Sequence, residues 1–277
     1  MFTLNCNGRL LVVDKPMVMG IINVTPDSFY EGSRFYDVDG IIAQAEKMLV
    51  EGANFLDVGA QSTRPGNEQV GAEEELRRLV PAIESLHANF PAAIISVDTY
   101  YARVAESAVA VGAAMVNDIS GGNADLAMLA TVASLRVPYV CMHIKGIPET
   151  MHVRTNYENI TREILDFFIT KIELCRLAGI HDVIIDPGFG FSKNSSQNFE
   201  LLKNLSVLSI LGNPLLVGLS RKSTIYKTLG VTAAEALNGT TVLNTISLLN
   251  GATILRVHDV KEAVETIKLV TELGIRN

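Results

Sequence analysis

Cysteine is scarce in this chain, and apolar runs of membrane length are missing from it. Cys6, Cys141 and Cys175 are three in 277 residues, odd in number and far apart, with no Cys-x-x-Cys pair. Neither a disulfide framework nor a zinc site is indicated, and a reducing cytoplasm is the expected home. No apolar stretch approaches the ~20 residues of a membrane span. The first apolar run, Leu10–Val13, sits between Arg9 and Asp14-Lys15, too short for a signal-peptide core. Basic residues are outnumbered, 23 Lys and Arg against 30 Asp and Glu, for a net charge of −7, which argues against nonspecific nucleic-acid binding. A small anionic ligand stays open, because Arg64, Arg221, Lys222 and Arg256 fall at or just beyond the ends of apolar runs. His87, His152 and His181 have no partner at ligand spacing and read as surface or structural residues.

What is present is a 48% hydrophobic composition with 19% charged residues, enough for a large core. Eight short apolar runs recur, nearly all ending on a polar side chain. They are Met17–Val24 with Asn23, Phe55–Gly59 leading to Thr63-Arg64, Ile94–Val97 with Asp98, and Met115–Ile119 with Asn117-Asp118. Then come Val137–Met142 with His143, Val183–Ile185 with Asp186, Leu215–Leu219 with Ser220-Arg221-Lys222, and Thr253–Val257 with Arg256 and His258.

Segments of 3.6-residue periodicity lie between the runs, over 38–51, 72–88, 101–111, 125–134, 159–178, 197–210, 233–250 and 260–273. Thr232-Ala-Ala-Glu235 reads as a capping box, and Gly52, Gly112, Gly179 and Gly251 sit where left-handed C-caps are expected. Eight strand–helix units rich in Val, Ile and Leu favour a (β/α)8 TIM barrel, with an open doubly wound sheet as the alternative. The expected organisation is one domain over 1–277. Residues 1–16, with Asn7-Gly8 at a turn, form a hairpin closing the bottom, and 17–273 form the barrel. In such a barrel the C-terminal strand ends share one mouth and carry the chemistry.

Asp98, Asn117 and Asp186 fall at three strand ends. Singly, each could be a helix cap or part of a turn. Together they make a pocket suited to a flat heterocycle with adjacent N–H donors, each charge-assisted bond contributing ~1.5–3 kcal/mol. Gly218-Leu-Ser-Arg-Lys-Ser223 and Arg256-Val-His-Asp259 end the last two runs, where barrels commonly hold phosphate. A salt-bridged rim and a Schiff-base role for Lys222 are the competing readings. Asn23 opens a long loop over 25–37, and Ser62-Thr-Arg-Pro-Gly66 opens another. An amide oxygen is a poor sole ligand, so Asn23 suits Mg²⁺ only if ligand phosphate and water complete the shell.

With these residues placed, the chain resembles the dihydropteroate synthases from about Met17 to Val270. The likeness is carried in order by Asn23-Val-Thr-Pro-Asp-Ser-Phe29, Ser62-Thr-Arg-Pro-Gly66, Val97-Asp98-Thr99, Asn117-Asp118-Ile119 and Met142-His143. It continues through Asp186-Pro-Gly-Phe-Gly-Phe191, Ser220-Arg-Lys-Ser223 and Arg256-Val-His258. The resemblance implies a (β/α)8 barrel joining a dihydropterin diphosphate to 4-aminobenzoate with Mg²⁺ assistance and release of diphosphate. It implies that Asp98, Asn117, Met142, Asp186 and Lys222 hold the pterin. Asn23, Thr63, Arg64, Arg256 and His258 would hold the diphosphate, Asn23 also the metal. Thr63, Pro65, Phe191 and Ser223 would shape the aminobenzoate pocket.

Asp98, Lys222, Arg256, His258 and Glu31 are the expected catalytic set, with Glu31 standing where the family commonly has Asp in the first long loop. Gln61 stands where Glu is frequent. A homodimer through helices on the outside is also implied. The rivals are a pterin-barrel methyltransferase, which has no need of Thr63-Arg64 and Arg256/His258, a Schiff-base aldolase, and a non-catalytic pterin-binding barrel.

Overall fold

A computed structural model describes residues 1–24, 38–61, 70–146 and 155–274. Two antiparallel strands, β1 (Phe2–Cys6) and β2 (Arg9–Val13), are joined by Asn7-Gly8, both with positive φ (53° and 84°), the geometry a two-residue hairpin demands. Then follow β3 (Met17–Asn23), α1 (Val38–Glu51), β4 (Phe55–Gly59), α2 (Ala72–Asn89), β5 (Ile94–Asp98), α3 (Ala102–Ala110) and β6 (Met115–Asp118). The chain continues through α4 (Met128–Leu135), β7 (Tyr139–Met142), α5 (Ile160–Ala178), β8 (Val183–Asp186), α6 (Ser195–Lys203), β9 (Leu216–Val217), α7 (Ser223–Leu229), α8 (Leu237–Leu249), β10 (Ile254–Val257) and α9 (Val260–Glu272).

β3 to β10 pair in parallel in the order β8-β7-β6-β5-β4-β3-β10-β9. The ring closes through a parallel bridge between Ile185 and Leu215, where the Ile185 N–H donates to Pro214 O at 2.9 Å. The fold is therefore the (β/α)8 barrel, not the open sheet.

Two-residue periodicity along each strand divides the side chains between two faces. Val18, Leu56, Ile95, Val116, Tyr139, Ile185, Val217 and Leu255 pack outward with Met48, Leu79, Ala108, Val132 and Phe168 of the helices. Met19, Phe55, Ile94, Met115, Val140, Ile184, Leu216 and Ile254 form the inner apolar layer, and Leu4, Cys6 and Val13 of the hairpin pack onto it. The hairpin thus closes the N-terminal end, anchored also where Asn5 N donates to Asp182 Oδ2 at 2.6 Å. One step toward the C-terminal end, the same inward positions are Ile21, Asp57, Ser96, Asn117, Met142, Asp186, Gly218 and Arg256, with Asp98 a step above Ser96. A dry lower layer under a polar upper layer is what positions the site.

Helix boundaries depart from the sequence periodicity in two places. The segment expected as one helix over 197–210 is α6 followed by a 3-10 turn at Leu205–Leu211, broken at Asn204. Residues 223–229, outside the periodic segments, form the short helix α7, ended by Gly230 at φ 68°. Glu235 accepts from Thr232 N at 3.0 Å and from Thr232 Oγ1 at 2.7 Å, as in a capping box, but in the turn before α8 rather than at its first residue. Gly52, Gly112, Gly179 and Gly251 all have positive φ after helices, as expected.

Candidate active site at the barrel mouth

The centre of the upper layer is a buried ion cluster. Arg256 Nε donates to Asp57 Oδ2 at 2.6 Å and its Nη2 to Asp98 Oδ2 at 2.6 Å, while Asn117 Nδ2 donates to Asp57 Oδ2 at 2.9 Å. β4, β5, β6 and β10 each contribute one side chain, from strands whose register places Asp57 beside Ser96 and Gly59 beside Asp98. A Cβ at Gly59 would stand 3.2 Å from that of Asp98 and would press on the carboxylate. Burial pushes Asp98 above the usual carboxylate range, and Arg256 pulls it back. Burial alone would lower Arg256, but Asp57 and Asp98 more than offset it and hold the guanidinium above its ordinary value.

The other half of the mouth comes from β8 and the turn after β9. Asp186 accepts from Gly188 N at 2.7 Å, and burial raises its carboxyl against the pull of Lys222. Lys222 Nζ donates to Phe189 O at 2.5 Å and lies 4.6 Å from the Phe191 ring centroid. Burial lowers its ammonium to about 8, with Asp186 opposing. With its Nζ donating to Phe189 O and Asp186 opposite, Lys222 is placed to hold a ligand at the mouth. Met142 and Phe191 share an apolar cluster with Tyr100, Ile119 and Ile144 at the mouth.

The expected residues are therefore brought together at Asp98, Asn117, Met142, Asp186, Phe191, Lys222 and Arg256. Neither Asp98 nor Asn117 is a helix cap. Asp98 is taken by Arg256, and the first turn of α3 is served by Asp125, whose Oδ2 accepts from Ala102 N at 2.8 Å. Asn23 ends β3, exposed and paired with Gly59. His258 follows β10, its backbone N donating to Ser220 Oγ at 3.2 Å. Ser223 begins α7, half-buried. Thr63, Arg64, Pro65 and Glu31 lie outside the described residues.

Arg221, a candidate phosphate cation by sequence, is instead bound to Asp259 through Nε and Nη2, both at 2.8 Å, with Nη1 on the Ala233 and Ala234 carbonyls. It fastens the turn after β9 to the start of α9.

Three buried groups escaped the sequence reading. Asp57 sits inside an apolar strand, and a lone carboxylate within Phe55–Gly59 is its signal in the sequence. Its Oδ1 is buried with no hydrogen-bond partner. Glu75, in the first turn of α2, is buried and accepts from Gln61 Nε2 at 2.7 Å, and Gln61 also holds Val70 through both its N and O. Burial raises Glu75 to about 7, against hydrogen bonds from Thr99 and Gln61. The third is Lys193, buried beside β8. As for a metal, the described residues hold no group of three or more His, Cys, Asp or Glu that could bind an ion. The donor available at Asn23 is one amide oxygen, which fits an ion carried mainly by ligand oxygens and water.

Residues 19–258 match the model of the family described as pterin binding enzyme. The dihydropteroate synthase of Escherichia coli (strain K12) is 41% identical over 95% of this chain and 93% of its own length. That of Synechocystis sp. is 43% identical over 92% and 89%. Among solved structures, Xanthomonas albilineans dihydropteroate synthase with 4-aminobenzoic acid superposes with a TM-score of 0.91 at 40% identity over 99% of both chains. The same organism's enzyme in complex with 7,8-dihydropteroate gives 0.88 at 37%, covering 99% of this chain and 100% of that one.

Proposed function

The chain belongs to the pterin-binding enzyme family, and we propose from that premise how its barrel mouth works as a dihydropteroate synthase. The reaction joins (7,8-dihydropterin-6-yl)methyl diphosphate to 4-aminobenzoate, giving 7,8-dihydropteroate and diphosphate. The observation that carries the reading is the polar upper layer, in which Asp98, Asn117 and Asp186 offer acceptors to one flat ring while Arg256 and Lys222 supply the cations.

In this reading Asp98, Asn117, Asp186 and Lys222 hold the pterin edge and Met142 lines its pocket. Arg256 and His258, with Asn23, Thr63 and Arg64, take the diphosphate. Thr63, Pro65, Phe191 and Ser223 shape the aminobenzoate pocket, and Glu31 joins from the first long loop. The methylene C–O bond breaks first, its electron pair leaving with diphosphate, and the arylamine nitrogen then forms the C–N bond and loses a proton. Asp98 offsets the positive charge developing on the pterin methylene, and the cations offset the charge on the leaving group. Mg²⁺, held by Asn23 and the diphosphate, would supply further charge neutralisation for the leaving group. Rates unchanged by chelator would remove the ion from the account.

A homodimer is proposed through the outer helices, where Leu229, Val242 and Leu249 are exposed on α7 and α8. Sedimentation as a monomer at micromolar concentration would count against it. We also place the protein in the cytoplasm, a reading supported by three free and buried cysteines; among the described residues no helix is long and apolar enough to cross a membrane. The experiment for the reaction is diphosphate release from the pterin diphosphate with and without 4-aminobenzoate. Release that ignores the arylamine would exclude the synthase.

A further inference from the structure

We propose that Lys193 and His143, which the reaction itself does not touch, form a buried clamp that positions the Asp186–Ser192 loop for pterin and aminobenzoate binding. The clamp rests on the site reading above. Lys193 is 7% exposed and His143 3%. The Lys193 Nζ lies 2.9 Å from Gly188 O, 3.0 Å from Phe191 O and 3.1 Å from His143 Nδ1. An ammonium has three N–H donors, so these three acceptors saturate it. With Lys193 as the ammonium, the imidazole is the acceptor and neutral, its lone pair on Nδ1 and its proton on Nε2.

The loop is wound for this purpose. Gly188, Gly190 and Ser192 alternate in the left-handed region, at φ 69°, 81° and 51°, which turns the carbonyls of 188 and 191 to the same amine. Gly188 admits no side chain, since a Cβ would stand 2.1 Å from His143 O. Ser192 Oγ donates to Lys145 O at 3.0 Å and accepts from Lys145 N at 3.1 Å, stitching the same loop to the segment after β7. What the clamp holds in place is functional. Gly188 N engages Asp186, Phe189 O receives Lys222, and the Phe191 ring lies against the Lys222 ammonium. Two lysines therefore read one loop, Lys193 from beneath and Lys222 from the mouth.

The charged groups facing Lys193 are Asp186 at the end of β8, Lys222 after β9 and Lys145 after β7, with His143 the neutral partner. Burial lowers the Lys193 ammonium to about 7, Asp186 opposing. The same burial, with Lys193 and Lys145, holds His143 well below its usual value, in agreement with an imidazole that accepts. The charge is offset by carbonyl dipoles and the field of Asp186, without a carboxylate in contact, which suits a positioning group rather than a proton donor to substrate.

The test compares Lys193→Met, His143→Leu and His143→Asn with the wild type, by calorimetry with 6-hydroxymethylpterin and by steady-state KM and kcat for 4-aminobenzoate. Asn places an acceptor oxygen near the position of Nδ1, and Leu fills the volume without one. Lys193→Met and His143→Leu are expected to bind the pterin at least tenfold more weakly and to raise KM more than they lower kcat, with His143→Asn within about twofold of wild type. The ring of His143 also packs edge-on to Phe167 at 4.8 Å; if only that packing matters, Leu will be tolerated better than Asn, which overturns the proposal. Should Lys193→Met fail to fold, the His143 pair decides alone. A wild type that binds no pterin would sink the functional reading, whereas wild-type binding with all three variants unchanged would sink the clamp only.

Discussion

Asp57 ties two strands of the site together, because one of its oxygens serves both Arg256 and Asn117. An amide can put its oxygen where Oδ2 stands, but it removes the negative charge facing Arg256 and leaves a buried N–H where Oδ1 has no partner. Asp57→Asn is therefore expected to lower kcat/KM by about 10- to 100-fold, corresponding to ~1.5–3 kcal/mol for a charge-assisted bond. A variant within twofold of wild type in steady-state kinetics would show that Arg256 and Asn117 hold themselves. Arg256→Ala removes the shared cation from two carboxylates, and breaking such a buried pair costs ~3 kcal/mol. It should show both a lowered Tm and a larger affinity loss for the pterin diphosphate than for the unphosphorylated pterin. Equal losses for the two ligands would take Arg256 out of the diphosphate site. Asp98, Asn117, Asp186, Lys222 and Arg256 are legible because they end apolar runs; Asp57 is not, because it stands inside such a run and its partners Asn117 and Arg256 are distant in sequence, and Lys193 is not, because its pairing with His143 spans two strands.

The start of α2 is where an element's own pH response can be read. Glu75 titrates near 4.5 in the unfolded chain and is raised to about 7 in the fold, so the native state holds its proton more tightly. Between those values the folded protein binds more protons than the unfolded one, and stability falls as pH rises from about 4.5 to 7. Glu75→Gln should remove up to about 3 kcal/mol of that fall, stabilising the protein at pH 8 and leaving it nearly unchanged at pH 4. Urea melts at both values check it; equal shifts at both would mean that Glu75 is ionised at little cost. The hairpin is the other separable element. Leu4 is 1% exposed against the inner layer, and Leu4→Ala should cost ~2–4 kcal/mol with KM unaltered, since the plug lies at the opposite end from the mouth. Asn7-Gly8 made this turn readable from sequence. The short α7 was not, because seven residues ending at Gly230 give too little periodicity to separate from a loop.

For the whole molecule, alternation of strand and helix specifies the (β/α)8 order, and two-residue periodicity specifies which side chains look inward. Closure was beyond the sequence, as it depends on one bridge between Ile185 and Leu215 beside the two-residue strand β9. The same periodicity separates an apolar floor at Phe55, Ile94, Met115 and Ile254 from a charged layer two residues on, at Asp57, Ser96, Asn117 and Arg256. The floor shields the charges from below, so that Coulomb attraction between Arg256 and its carboxylates is weakly screened and the layer is held together before any ligand arrives. The central claim is that this layer serves a dihydropteroate synthase, and the most direct measurement is diphosphate release by the purified protein. The account predicts release from the pterin diphosphate that requires 4-aminobenzoate and is accompanied by one equivalent of 7,8-dihydropteroate. Tight pterin binding with no such release would contradict it and leave a barrel that binds pterin without turning it over.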